Sequence, residues 1–171
     1  MIQHRKTLTV AVAGLSLIGL SAWIEPPPRL IWNASASVPI GFYAVAPIEH
    51  PRIGDIVAVT PPEPLAAFFA ARGYLPVGVP LLKPVAALPG QRVCRLDLRV
   101  TIDGRFAAMA LPRDRRGAPL PVWQGCRQVA PGQVFLLNSR HADSLDGRYF
   151  GPLAVSTVIG RATPVLGMPE Q

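Results

Sequence analysis

"CRLDLRVTIDGRFAAMAL", residues 94–111, decides the fold class. Cys94, Leu96, Leu98, Val100 and Ile102 alternate with Arg95, Asp97, Arg99 and Thr101. Successive side chains of a strand point to opposite faces, so this pattern predicts one strand from Cys94 to Ile102 with a single buried face. Asp103-Gly104 then supplies a two-residue hairpin turn, and "RFAAMAL" returns as the partner strand.

The same grammar extends in both directions. "GFYAVAP" (41–47) and "GDIVAVTPP" (54–62) are short apolar strands punctuated by glycine and proline, and "GQVFLLN" (132–138) and "LAVSTVIGRATPV" (153–165) read as closing strands. "PLAAFFAARGYLP" (64–76) breaks the pattern. Proline at its start, alanine and phenylalanine in its middle and Gly73 after Arg72 predict a short helix inserted between two strands. The stretch from Met109 to Cys126 is rich in turn residues and reads as an excursion from the sheet. Twenty prolines against 7% aromatics fit a loop-rich β domain better than a helix bundle. The fold class expected is mainly β: one antiparallel domain with a short helical insertion.

Ahead of that domain, "TLTVAVAGLSLIGLSAWI" (7–24) carries no charge. As a helix it is roughly 27 Å long, close to the thickness of a bilayer's hydrocarbon core. Arg5 and Lys6 precede it, and Glu25 and a proline run follow. The positive-inside rule then predicts a cytoplasmic N-terminus (1–6), one transmembrane anchor (7–24) and an exported domain (25–171) in the bacterial periplasm. A cleaved signal peptide is the rival reading, but "SAWIEPPP" offers no small-x-small cleavage site, and Trp23 suits an interfacial anchor. "EPPPRLIW" reads as a stiff polyproline exit from the membrane.

The net charge of +7 rests on scattered arginines, which suits a surface beside anionic lipid. Nucleic-acid binding would call for a clustered basic stripe with stacking aromatics, and only "RDRR" (113–116) resembles a cluster. Cys94 and Cys126 are the two cysteines; in an exported domain such a pair reads as a structural disulfide. Neither a zinc site nor a cofactor is expected, because no further ligands stand at short spacing.

Lysine is scarce: Lys6 and Lys83 are the two in the chain, and the topology above puts Lys6 in the cytoplasm. Lys83 lies in the apolar stretch "GVPLLKPVAALPG". Arginine keeps its proton in proteins, whereas a lysine buried in apolar surroundings can lose it. A neutral amine beside a hydroxyl can act as a general base in acyl transfer. The bland reading is a lysine whose stem covers a strand while its amine reaches water. Two hydroxyls stand upstream in "NASASVPIGFY" (33–43). Ser37 directly precedes Val38-Pro39, and in an extended segment Ser35 would share its face. A turn rich in serine and proline is the alternative.

Taken in order, Ser35-x-Ser37-x-Pro39, "IGDIVAV", Lys83 with Pro89-Gly90 six residues on, and "SLDGRYFG" resemble the signal-peptidase superfamily of Ser-Lys serine proteases. "SVPIGFY", "ARGYLP" and "LLKPVAALPG" are most similar to its TraF-type branch, the peptidases of conjugative transfer systems. The resemblance implies a signal-peptidase-like β domain working close to the membrane. It implies Ser37 as nucleophile, Lys83 as general base, and an oxyanion hole from the Ser35 side chain and the Ser37 backbone N–H. Ser144 would orient the lysine, and Asp146 and Arg148 would form a supporting ion pair.

The chain departs from ordinary type I signal peptidases in having only Val38 between nucleophile and proline. In its last box, "LLNSRHADSLDGR", Asn138 stands away from Ser144. The function expected is processing of a membrane-bound exported precursor, with the pilin of a conjugative type IV secretion system as the foremost candidate partner, together with lipid and other transfer proteins. The alternatives are a general type I signal peptidase and a non-catalytic, membrane-anchored channel component. A Ser-His-Asp hydrolase using His141 and Asp143 lacks the Gly-x-Ser-x-Gly elbow.

Overall fold

The structure, a computed structural model, describes residues 2–21 and 29–167. Strands β1 (Leu30–Asn33), β2 (Gly41–Ala46), β3 (Ile56–Val59), β4 (Leu81–Ala87), β9 (Gln133–Leu136), β10 (Leu153–Ala154) and β11 (Val158–Gly167) form one antiparallel sheet, in the order β1-β2-β11-β3-β4-β9-β10. The chain's last strand therefore inserts between β2 and β3 and closes the sheet's middle. A second antiparallel sheet has the order β7-β6-β5-β8, made of β5 (Arg92–Leu96), β6 (Arg99–Ile102), β7 (Arg105–Met109) and β8 (Gly125–Gln128).

The expected single strand from Cys94 to Ile102 is in fact two strands. β5 pairs with β6 across a two-residue turn at Asp97-Leu98, with Leu96 opposite Arg99. Asp97 takes φ 56°, a left-handed conformation that aspartate tolerates better than most side chains. The apolar alternation holds at Cys94 and Val100, which are buried, and fails at two positions: Arg95 is buried while Leu96 is 62% exposed. Arg95 is buried because its guanidinium donates to the carbonyls of Asp97, Pro121 and Arg148, and it lies over the Tyr149 ring. The second turn is as expected: Asp103 and Gly104 both have positive φ, the pattern of a type I′ hairpin joining β6 to β7.

The inserted helix is α2 (Glu63–Ala71), with proline in its first turn. It leaves β3 and returns to β4, which pair directly with each other. Phe69 anchors it by packing edge-on against Phe150. The excursion between β7 and β8 is irregular, apart from one bridge between Arg113 and Pro119. Cys94 and Cys126 face each other across β5 and β8 and are joined as a disulfide.

Helix α1 (Ile2–Ser21) starts before the anchor expected over 7–24. Its first turns carry Arg5 and Lys6, so the uncharged part, Thr7–Ser21, is roughly 22 Å long at ~1.5 Å per residue. Among the described residues, no helix is long and apolar enough to cross a membrane, so the described part of the helix does not by itself support the expected anchor. Residues 22–24 with Trp23, and the proline exit at 25–28, lie outside the described residues.

Candidate active site

Two structural pieces meet at the site. The first is the loop between β1 and β2. Asn33 and Gly41 are the last paired residues of the two strands, and the seven residues between them carry Ser35 and Ser37. A loop of this length needs partners for its backbone carbonyls, and the side chain of Asn33 provides them. Its amide nitrogen donates to the carbonyls of Ser35, Val38 and Pro39 at 2.8, 2.9 and 3.0 Å. Its amide oxygen accepts from Ser35 N at 3.2 Å and Ser35 Oγ at 2.9 Å. Tyr43 closes the far side, its hydroxyl donating to the Pro39 carbonyl at 2.7 Å. Ser37 Oγ lies 2.9 Å from Ser35 Oγ, so the two serines share a face, as their spacing suggested. They do so from a turn and not from an extended segment.

The second piece is the buried lysine. Lys83 sits on β4 opposite Val57 of β3, in the middle of apolar strands, and is 4% exposed. Burial pulls its amine down to about 8; Asp146 opposes this, Arg148 adds to the lowering, and Asp143 opposes it least. At that value roughly one molecule in five carries a neutral amine at pH 7.4, against one in a thousand for an ordinary lysine. Nζ donates to Ser144 Oγ at 3.0 Å.

Ser144 is held by the box behind it. Asp146 caps the short helix α3 (Gly147–Phe150) and accepts from Arg148 Nε at 2.8 Å and from Asn138 N at 3.0 Å. The Arg148 guanidinium also reaches the carbonyls of Met109, Asn138, His141 and Ala142, fastening the whole loop that precedes Ser144. Only glycine fits at position 147, where a Cβ would stand 2.6 Å from the Leu136 carbonyl and from the Phe135 ring. Asp146 and Arg148 are 0% and 1% exposed. A fully paired ion pair of this kind fixes geometry, and removing either partner would strand a buried charge.

The two pieces are joined in two places. Asn138 donates from its side chain to the Ser37 carbonyl while its own backbone is tied to Asp146 and Arg148. Below the loop, Val38 and Leu82, the neighbours of Ser37 and Lys83, belong to one core cluster with Tyr43 and Ala58. Among the described residues no hydrogen bond joins Ser37 Oγ to Lys83 Nζ; the serine is paired with Ser35 and the lysine with Ser144. The arrangement therefore holds a half-exposed hydroxyl and a poised amine as separately anchored groups.

Cys94 and Cys126 lie in the second sheet. Asp143 pairs with Arg115, and His141 offers the loop its backbone carbonyl. A cavity of about 290 Å³ lies beyond Ser144, walled by Tyr74, Leu111, Leu120 and Leu145 and rimmed by Asp143 and Arg115; neither Ser37 nor Lys83 lines it. Sequence reasoning missed Asn33, whose only signal was an amide at a strand end two residues before a serine. It also missed Arg95, which the alternation had placed on the solvent face.

The family described as "signal peptidase, peptidase S26" matches residues 2–166. The conjugal transfer protein TraF of Agrobacterium fabrum (strain C58) is 41% identical over 145 residues, covering 78% of this chain and 80% of that protein. The plasmid transfer protein TraF of Escherichia coli is 31% identical over 170 residues, covering 92% of this chain and 93% of that protein. A solved signal peptidase I from Enterococcus faecalis V583 aligns with TM-score 0.40 and 23% identity, over 68% of this chain and 99% of its own.

Proposed function

The chain belongs to the signal peptidase S26 family, and from that premise we propose that it is a serine endopeptidase with a Ser37–Lys83 dyad. The observation that carries this reading is Lys83: a buried amine, pulled down to about 8 and aimed at Ser144 by a fully paired box. Attack forms a bond from Ser37 Oγ to the scissile carbonyl carbon while the Ser37 proton passes to Lys83 Nζ. The carbonyl electron pair moves onto oxygen, where Ser35 Oγ–H and the Ser37 N–H receive it. Collapse expels the amine, which takes the proton back from Lys83 and leaves an acyl-enzyme. Ser37 must first exchange its Ser35 partner for Lys83, since the structure pairs the serine with Ser35 and the lysine with Ser144.

The substrate in this reading is a membrane-bound exported precursor, foremost a pilin of a conjugative type IV secretion system. Support comes from the TraF relatives, named for conjugal and plasmid transfer, and from the surface beside the serine loop. There the rings of Trp32 and Phe42 pack at a tilt across β1 and β2, centroids 4.8 Å apart, and with Leu30 and Val165 they stand exposed. Such an apolar face suits a site working against lipid at the periplasmic side of the inner membrane. Water releases the acyl group in cleavage; attack by the pilin's own N-terminal amine would instead close a ring.

The test is intact-mass measurement of a candidate pilin co-expressed with wild type, Ser37→Ala or Lys83→Ala. Shortening that needs both residues is the expected result, and a product lighter than the linear fragment by one water would mean cyclisation. Processing that persists in both variants would overturn the dyad and favour the non-catalytic channel component.

A further inference from the structure

We propose that Asn33 is a positioning residue of the peptidase site, parking the Ser35 hydroxyl proton on its amide oxygen so that this hydroxyl can swing to the oxyanion during attack. The inference rests on the assignment of Ser37 and Ser35 made above.

The hydrogen bonds around Asn33 set the direction in which the two serine hydroxyls donate. Three carbonyl oxygens surround one end of the Asn33 amide, so that end is the nitrogen. The other end faces Ser35 N–H, which can only donate, so it is the oxygen. A hydroxyl 2.9 Å from an acceptor-only oxygen must give it its single proton, and Ser35 is so placed. Ser35 Oγ is then left to accept from Ser37 Oγ–H across their 2.9 Å contact. The resting order is Ser37 to Ser35 to Asn33, a short chain whose far end is held by a side chain 7% exposed.

Attack undoes this order from the other end. Once Ser37 Oγ has bonded to carbon and its proton has gone to Lys83, Ser35 no longer has a donor to accept from. Its own proton then leaves Asn33 Oδ1 for the anionic oxygen, exchanging a neutral hydrogen bond for a charge-assisted one, which is roughly twice as strong. Asn33 thus holds Ser35 beside Ser37 without committing it irrevocably. By also engaging Ser35 N–H it leaves the hydroxyl as the group free to move.

The experiment uses the full chain in detergent with the purified pilin precursor of its own transfer system. It measures single-turnover rate at saturating enzyme, half-saturation and melting midpoint. Ser35→Ala is expected to slow the step about a hundredfold, as loss of an oxyanion donor does. Asn33→Ala should slow it about tenfold with half-saturation within about twofold. The double variant should be no more than about twofold slower than Ser35→Ala, because Asn33 acts through that hydroxyl. Two independent factors that multiply in the double variant would overturn the proposal. Wild-type rates in Ser35→Ala and Ser37→Ala would instead overturn the assignment of the serines.

Should Asn33→Ala lose its melting transition, Asn33→Asp gives the second reading. Its carboxylate, once ionised, grips the Ser35 proton and repels the oxyanion. The rate relative to wild type should therefore fall as pH rises through the new carboxyl's titration. A ratio flat with pH would contradict the parking role.

Discussion

The serine loop and the lysine box are built in opposite ways. The loop from Ala34 to Ile40 lies at the surface, and the carbonyls of Ser35, Val38 and Pro39 converge on the single side chain of Asn33. The box around Ser144, Asp146 and Arg148 is buried, and its arginine alone reaches four backbone carbonyls besides its carboxylate partner. The difference matches what the proposed dyad asks of each half. An amine must be kept dry for its proton affinity to stay low, whereas a nucleophile must meet a substrate and change its hydrogen-bond partner. Rigidity belongs with the group whose acidity depends on burial, and latitude with the group that moves.

Breaking the box should give the largest effect. Asp146→Ala leaves the Arg148 charge buried without its carboxylate, and a loss of about 3–5 kcal/mol in unfolding free energy is expected from urea denaturation. An unchanged midpoint would show that the carbonyl contacts alone satisfy Arg148. Next comes a region outside both halves. Replacing Cys94 and Cys126 together by serine opens a loop with a sequence separation of 32 residues. Loop-closure entropy sets that loss at about 3–4 kcal/mol. The single-turnover rate at a permissive temperature should nonetheless stay within about threefold, because the bridge lies in the second sheet.

Lys83 runs the other way. Its value falls from 10.5 in the unfolded chain to about 8 in the fold, so between those limits the unfolded chain binds more protons. Stability must therefore rise as pH increases from 8 to 10.5, and below pH 8 the penalty is fully present at about 3 kcal/mol. Lys83→Met should remove processing while raising the unfolding free energy at pH 7, with the gain disappearing above about pH 10.5. A variant less stable than wild type at pH 7 would contradict that sign. The smallest effect is expected at the bridge between the halves. Asn138→Ala frees the Ser37 carbonyl, at a cost of about 1–2 kcal/mol. Its rate loss should exceed that of a surface substitution, because it loosens the serine loop from the box.

Much of this architecture was legible in the sequence, though unevenly. The proline-started helix between two strands, the Asp103-Gly104 turn and the pairing of Cys94 with Cys126 all follow from local chemistry, and all are present. The split at Asp97-Leu98 was hidden because an arginine occupies the buried face and a leucine the exposed one. Arg95 is satisfied by carbonyls more than twenty residues away, which no local pattern can reveal. Lys83 and Ser144 could be paired by resemblance to a family, but their 3.0 Å contact depends on Arg148 fastening a loop far along the chain. Asn33 was invisible because an asparagine at a strand end looks like any turn residue until its five partners are seen.

The proposed chemistry turns on Lys83, a lysine held ready to lose its proton near neutral pH. Lys6 and Lys83 are the chain's two lysines, so labelling with [13C]-lysine gives a two-signal spectrum in which Lys6→Arg assigns the remaining resonance. Titrating the Lys83 Cε shift should give a midpoint near 8, coincident with the rise of the single-turnover rate with pH. A midpoint above 10 would rule out Lys83 as the base, for it would mean a lysine that stays charged where the reaction needs a neutral amine.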